Sequence, residues 1–123
     1  MINAKNNKLT VRSKVWLELD GVPFIGQGRL AVLHAIDQHG SMVKAAEETC
    51  ISYRRIKGIV REMEAQLGVP IVVTQRGGEH GGWTVLTPAA RDLMQRFERQ
   101  QDGIRDEIDE VFNQLFNDYF KDL

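Results

Sequence analysis

Two serines and two glycines punctuate the middle of the chain, and they constrain its fold more than any other feature. Gly40 is followed at once by Ser41, Ser52 opens a second apolar-periodic run, and Gly68 with Pro70 closes it. Serine just before a helix accepts a hydrogen bond from an otherwise unpaired N–H, and glycine just after one takes the left-handed backbone of a helix stop. The spacing therefore predicts a short helix through MVKAAEETC, a tight turn at Ile51, and a longer helix from Ser52 to about Leu67. Ala45 and Ala46 are small enough to let a neighbouring helix come close. At about 100° per residue, Ile56, Ile59, Val60, Met63 and Leu67 share one stripe of the longer helix, and Arg54, Lys57, Gly58 and Arg61 lie opposite.

The flanks add strands on both sides and a third helix before the pair. Residues 11–19 alternate, with Val11, Val15, Leu17 and Leu19 on one side and Arg12, Lys14, Trp16 and Glu18 on the other, which predicts a half-buried strand. Asp20-Gly21 is a two-residue hairpin signal, so Val22 to Ile25 should return beside it. RLAVLHAIDQHG carries Leu30, Val32, Leu33 and Ile36 on one arc and stops at Gly40. After the central pair, Ile71 to Thr74 and Trp83 to Leu86 read as a second hairpin with the glycine-rich tip QRGGEHGG between them. Thr87-Pro88 then opens a helix expected to reach the chain's end. The expectation is an α+β fold with an N-terminal β-hairpin and a long C-terminal helix. In that helix Leu93, Phe97, Ile104, Ile108, Val111, Leu115 and Phe116 recur at helical steps, and few elements remain to cover them. A second copy of the same helix is the economical partner, which makes these residues the expected dimer interface.

The 123 residues suit one domain with a real core. No apolar run approaches the roughly 18 residues of a membrane span, and residues 1–10 do not resemble a secretory leader, so a soluble cytoplasmic protein without membrane contact is expected. Cys50 has no second cysteine to pair with and reads as a small buried thiol. Net charge is −1, which by itself argues against a polyanion partner, but its distribution is uneven. Residues 88–123 hold five Lys/Arg against nine Asp/Glu, whereas residues 1–87 hold eleven against eight. A local basic face is thus compatible with the total.

The longer central helix carries the informative chemistry. Tyr53, Arg54, Arg55 and Lys57 crowd its first turns, Ser41 and Ser52 sit at the two helix starts, and Arg61 extends the basic face. Arginine grips guanine edges or phosphate, and tyrosine reaches phosphate or packs at the helix root. The same pattern also suits a solvated basic face on an ordinary helical domain. The loop of Gly77, Gly78, His80, Gly81 and Gly82 can present backbone N–H groups to phosphate, with Arg76 as the nearby cation, or serve as a plain hairpin end. No Gly-Lys-Ser/Thr follows it, so it is not a nucleotide-binding loop. His34, His39 and His80 lack metal-ligand spacing, and no nucleophile with a base and orienter is visible. Neither an enzyme nor a metal or other cofactor is expected.

The order of these pieces resembles the N-terminal DNA-binding domain of the ModE-type molybdate-responsive regulators, relatives of the LysR-type winged helix. The resemblance covers about residues 11–95 and rests on Gly26-x-Gly28-Arg29, Gly40-Ser41 with Ala45-Ala46, Ser52-Tyr53-Arg54-Arg55, and Gly77-Gly78-x-x-Gly81-Gly82 followed by Leu86-Thr87. Trp83 stands where the family often continues with glycine, and Glu79 and His80 sit inside the loop. It implies a winged helix-turn-helix over 1–87, a dimerisation helix over 88–123, major-groove reading by the helix from Ser52, and a wing at the glycine loop. The expected partners are double-stranded DNA and a second copy of the chain, with any effector or partner protein unspecified. The family's C-terminal oxyanion-binding domains have no counterpart in this sequence, so molybdate binding is not expected. A winged module that binds protein rather than DNA is the competing expectation, kept open by the near-neutral charge.

Overall fold

The structure is a computed structural model that describes residues 8–76 and 82–123. It divides into two compact units, one of residues 16–97 and one of residues 8–15 with 98–123.

The larger unit begins with strands β1 (Leu17–Leu19) and β2 (Val22–Ile25), paired antiparallel through the Asp20-Gly21 turn. Both turn residues have positive φ, 52° and 78°, the type of turn whose twist matches that of a hairpin. The strand expected over 11–19 is reduced to three residues. β2 offers only four residues before the next helix begins, so residues 11–16 have no ladder to join.

Helix α1 (Gln27–His39) ends at Gly40, which is left-handed (φ 63°) and returns its N–H to Ile36 O at 2.9 Å. Helix α2 (Met42–Thr49) and helix α3 (Tyr53–Leu67) are both capped as their serines require: Ser41 Oγ accepts from Lys44 N and Ser52 Oγ from Arg55 N, each at 3.1 Å. Gly68 (φ 79°) stops α3. Cys50 closes α2 in a left-handed conformation (φ 58°) and is exposed, contrary to the buried thiol expected from its type. At that turn the inward position falls to the half-buried Ile51.

Strands β3 (Val72–Gln75) and β4 (Trp83–Leu86) pair in regular antiparallel register, Val72 opposite Leu86 and Gln75 opposite Trp83. Ile71, expected at the head of β3, is instead fully buried and accepts from Thr87 N. Thr87 Oγ1 caps helix α4 (Pro88–Phe116) by accepting from Ala90 N at 3.2 Å and donates to Pro70 O at 2.8 Å.

One core joins these elements: Ile25, Leu33, Ile36, Ile56, Met63, Ile71 and Phe97 are its largest fully buried side chains. Each contributes roughly 1.5–3 kcal/mol through burial alone. Phe97, expected on the stripe facing a second copy, is 1% exposed inside its own domain, and Leu93 packs half-buried against the same core. The first three turns of α4 therefore complete the winged domain.

In the smaller unit Gln101 Nε2 donates to Val15 O at 3.2 Å, so the segment that lacks a strand partner finds a helix side chain instead. Helix α4 stops at Phe116 rather than at the chain's end. Asp118 turns left-handed (φ 65°), a conformation that aspartate tolerates, and a short 3-10 helix follows over Tyr119–Asp122. Among the described residues no helix is long and apolar enough to cross a membrane.

Candidate nucleic-acid interface

Helix α3 presents three surfaces once Ile56, Ile59, Val60 and Met63 are turned into the core. Directly opposite that stripe runs a line of Arg54, Gly58 and Arg61. Tyr53 and Lys57 form one flank and Arg55 with Glu62 the other, as about 100° per residue requires.

The Tyr53–Lys57 flank faces the β3–β4 hairpin across an open cleft of about 510 Å³. Ser41 and Val43 from the start of α2, Tyr53, Lys57 and Arg61 from α3, and Thr74 and Arg76 from β3 and its end line it. Lys57 Nζ lies 5.5 Å from the centre of the Tyr53 ring, so the aromatic face steadies the ammonium at the cleft wall. Glu64 also lines the cleft, but its carboxylate accepts from Ile71 N at 2.9 Å and is engaged with the backbone. At the hairpin end Gly82 has no room for a side chain: a Cβ there would lie 2.0 Å from Gln75 O. Gly77, Gly78, Glu79, His80 and Gly81 lie outside the described residues.

The opposite flank is a structural clasp. Arg29 donates to Glu62, to Phe24 O at 2.7 Å and to Gln66 Oε1 at 3.0 Å, while Gln66 Nε2 donates to Pro23 O at 2.9 Å. Glu62 also holds Arg55 at 3.5 Å. The sequence carries a readable hint of this: Arg29 is a cation in the first turn of α1, where the helix dipole disfavours positive charge unless a carboxylate answers it. Arg55, grouped by sequence with the readers, is thus shared between solvent and the clasp.

Ion pairing distinguishes the cations around α3 from several others. Arg29, Arg55, Arg91, Arg96, Arg105 and Lys121 each pair with a carboxylate. Arg54, Lys57, Arg61 and Arg76 make no such pair among the described residues; Lys8, Arg12, Lys44 and Arg99 make none either, but only the first four gather on the outer line of α3 and the cleft beside it. Charge left unneutralised on one face, with serine, threonine and tyrosine hydroxyls beside it, is chemically suited to phosphate oxygens and base edges.

Beyond Phe97 the apolar positions of α4 lose their cover: Ile104 and Ile108 are half-buried, Val111 is 53% and Leu115 70% exposed. Sequence reasoning named Phe116 but missed its aromatic neighbours Phe112, Tyr119 and Phe120; successive rings from Phe112 through Phe116 and Tyr119 to Phe120 lie 5.5, 5.7 and 5.3 Å apart. Phe112 completes the four-residue step from Ile104 through Ile108 to Phe116, a spacing that was available in the sequence.

Residues 28–91 match the bacterial regulatory helix-turn-helix proteins of the lysR family. Eighty residues are 36% identical to the molybdenum-pterin-binding protein MopB of Rhodobacter capsulatus, over 65% of this chain and 30% of that protein. The molybdenum transport protein ModE of Azotobacter vinelandii is 25% identical over 103 residues, 84% of this chain and 38% of its own length. The chain thus spans about a third of the length of the curated relatives it matches. Among solved structures, the CbnR DBD–DNA complex superposes with a TM-score of 0.52 at 23% identity, over 69% of this chain and 93% of that one. The two share the winged helix-turn-helix fold.

Proposed function

The chain belongs to the bacterial regulatory helix-turn-helix proteins of the lysR family, and on that premise we propose that it is a homodimeric transcription regulator reading specific double-stranded DNA. The observation that carries the reading is the clustering of Arg54, Lys57, Arg61 and Arg76, all without carboxylate partners among the described residues, on one face around α3. In this reading α3 enters the major groove with Arg54 and Arg61 toward base edges. Tyr53, Lys57 and Arg76 hold the adjoining phosphates, with the N-terminal ends of α2 and α3 at Ser41 and Ser52 turning backbone N–H groups toward them. Arg55 contributes less, because Glu62 competes for it.

The second half of α4 supports pairing. Val111, Leu115 and Phe116 are exposed apolar positions, and burying them against their twins would join two copies of α3 in one particle. The operator is then an inverted repeat with half-sites about one helical turn, or a multiple of it, apart. The molybdenum-related names belong to proteins about three times the matched length, and that chemistry is not carried over.

Selection of bound duplexes from a random library tests the reading. An enriched inverted repeat, with affinity that falls as salt rises, is expected. No enrichment at low salt would sink the DNA reading and leave a winged protein-interaction module.

A further inference from the structure

The fold demands glycine at one point of this face and not at another. At Gly82 the hairpin backbone excludes a Cβ, whereas at Gly58 a Cβ would meet nothing within 4 Å. Gly58 lies in mid-helix, and its φ is not positive, so neither packing nor backbone geometry asks for glycine there. Glycine is also the weakest helix former apart from proline. Alanine would fit and would strengthen α3.

What distinguishes the position is its surroundings. Gly58 sits on the line opposite the buried stripe, with Arg54 one turn before it and Arg61 one turn after, both exposed and without a carboxylate partner among the described residues. Its N–H and C=O belong to the helix ladder, so the gap offers no hydrogen bond of its own. It offers a notch of bare backbone between two long cations.

We propose that Gly58 determines specificity by depth: the missing side chain lets α3 seat against a base-pair edge in the major groove, and that depth lets Arg54 and Arg61 reach bases on either side. The inference rests on the DNA reading above and adds the residue that sets the docking distance. A phosphate contact works at the groove's rim and does not need this depth, so binding to unrelated sequence is largely insensitive to it.

The full chain, Gly58→Ala and Arg54→Ala are compared by thermal melting and by titration, at matched salt, with the selected duplex and a scrambled one of equal length. Gly58→Ala is expected to melt at or roughly 2–5 °C above the wild-type temperature. It should lose tenfold or more on the selected duplex and less than twofold on the scrambled one. A lower melting temperature would show that the fold itself needs the glycine and overturn the inference. Unchanged affinity for the selected duplex, or an equal loss on both duplexes, would overturn it as well. If Arg54→Ala loses the preference and Gly58→Ala keeps it, this inference fails and the DNA reading stands. A wild type with no preference fails the DNA reading and takes the inference with it.

Discussion

Helix α4 carries one apolar rhythm through two regions with different fates. In its first turns Ala90, Met94 and Phe97 are 0–4% exposed in the core of the winged domain. Farther on, Ile104 and Ile108 are half-covered and Val111, Leu115 and Phe116 stand open. Periodicity alone does not distinguish the two stretches, because it reports which side of a helix is apolar and not what lies against that side. The difference gives stability to the first stretch and leaves the second as the one proposed for association. Each assignment can be broken separately.

The largest effect belongs to Phe97. Phe97→Ala removes a fully buried ring and should cost about 3–5 kcal/mol of folding stability, read by urea or thermal denaturation at any protein concentration. Leu115→Ala should change unfolding only through its dependence on protein concentration, since its contribution comes with the second copy. If Leu115→Ala lowered stability in dilute, monomeric protein as far as Phe97→Ala, the division of α4 would be wrong.

Association is the next largest. Leu115→Glu together with Val111→Glu places two charges in the exposed row and should yield a monomer by light scattering, with the melting of the winged domain kept. Affinity for the full inverted repeat should then fall about 10²-fold or more toward that of a half-site, because the second half-site is no longer tethered to the first. A chain stopped after Gln101 should behave likewise. A truncated chain that remained dimeric would move the interface out of the tail.

What the sequence disclosed and what it withheld divide along the same physical line. Helix caps and tight turns are decided within four or five residues, so Ser41, Ser52, Thr87, Gly40, Gly68 and Asp20-Gly21 were all legible. The outward line of α3 followed from helical geometry. Events that depend on distant chain were not legible: the loss of residues 11–16 from β1 for want of a partner, the exposure of Cys50, and the burial of Phe97. Nor was the tie from Arg29 through Glu62 to Arg55, which joins residues 33 positions apart. Sequence showed that the face was basic, but only the fold distinguished cations with carboxylate partners from those without.

A third kind of substitution should leave both stability and mass alone. Arg54→Ala and Lys57→Ala remove cations without carboxylate partners among the described residues, and each should lower affinity for the selected duplex by about 1–3 kcal/mol while the melting curve stays put. A lost base contact relaxes preference at one position, whereas a lost phosphate contact weakens every sequence and flattens the salt slope. Arg55→Ala serves as the contrast within the same turn. Because Glu62 shares it across an exposed 3.5 Å pair, its loss should lower affinity less than that of Arg54 and barely move the melting curve.

The smallest effect separates two roles at a single atom. Ser52 Oγ accepts the N–H of Arg55 and so starts α3, yet it also stands at the edge of the proposed interface. Ser52→Ala should cost about 1 kcal/mol of stability through the lost cap. Ser52→Asp restores a good cap, and its negative charge suits the positive end of the helix dipole, so stability should return to the wild-type value. That same charge faces the phosphates that α3 is proposed to approach, so DNA affinity should fall although the fold has recovered. Melting and titration of the two variants therefore move in opposite senses if α3 enters DNA by its N-terminal end. If Ser52→Asp recovered stability and affinity together, that end of the helix would lie away from the phosphates, and the docking of α3 would have to be reoriented.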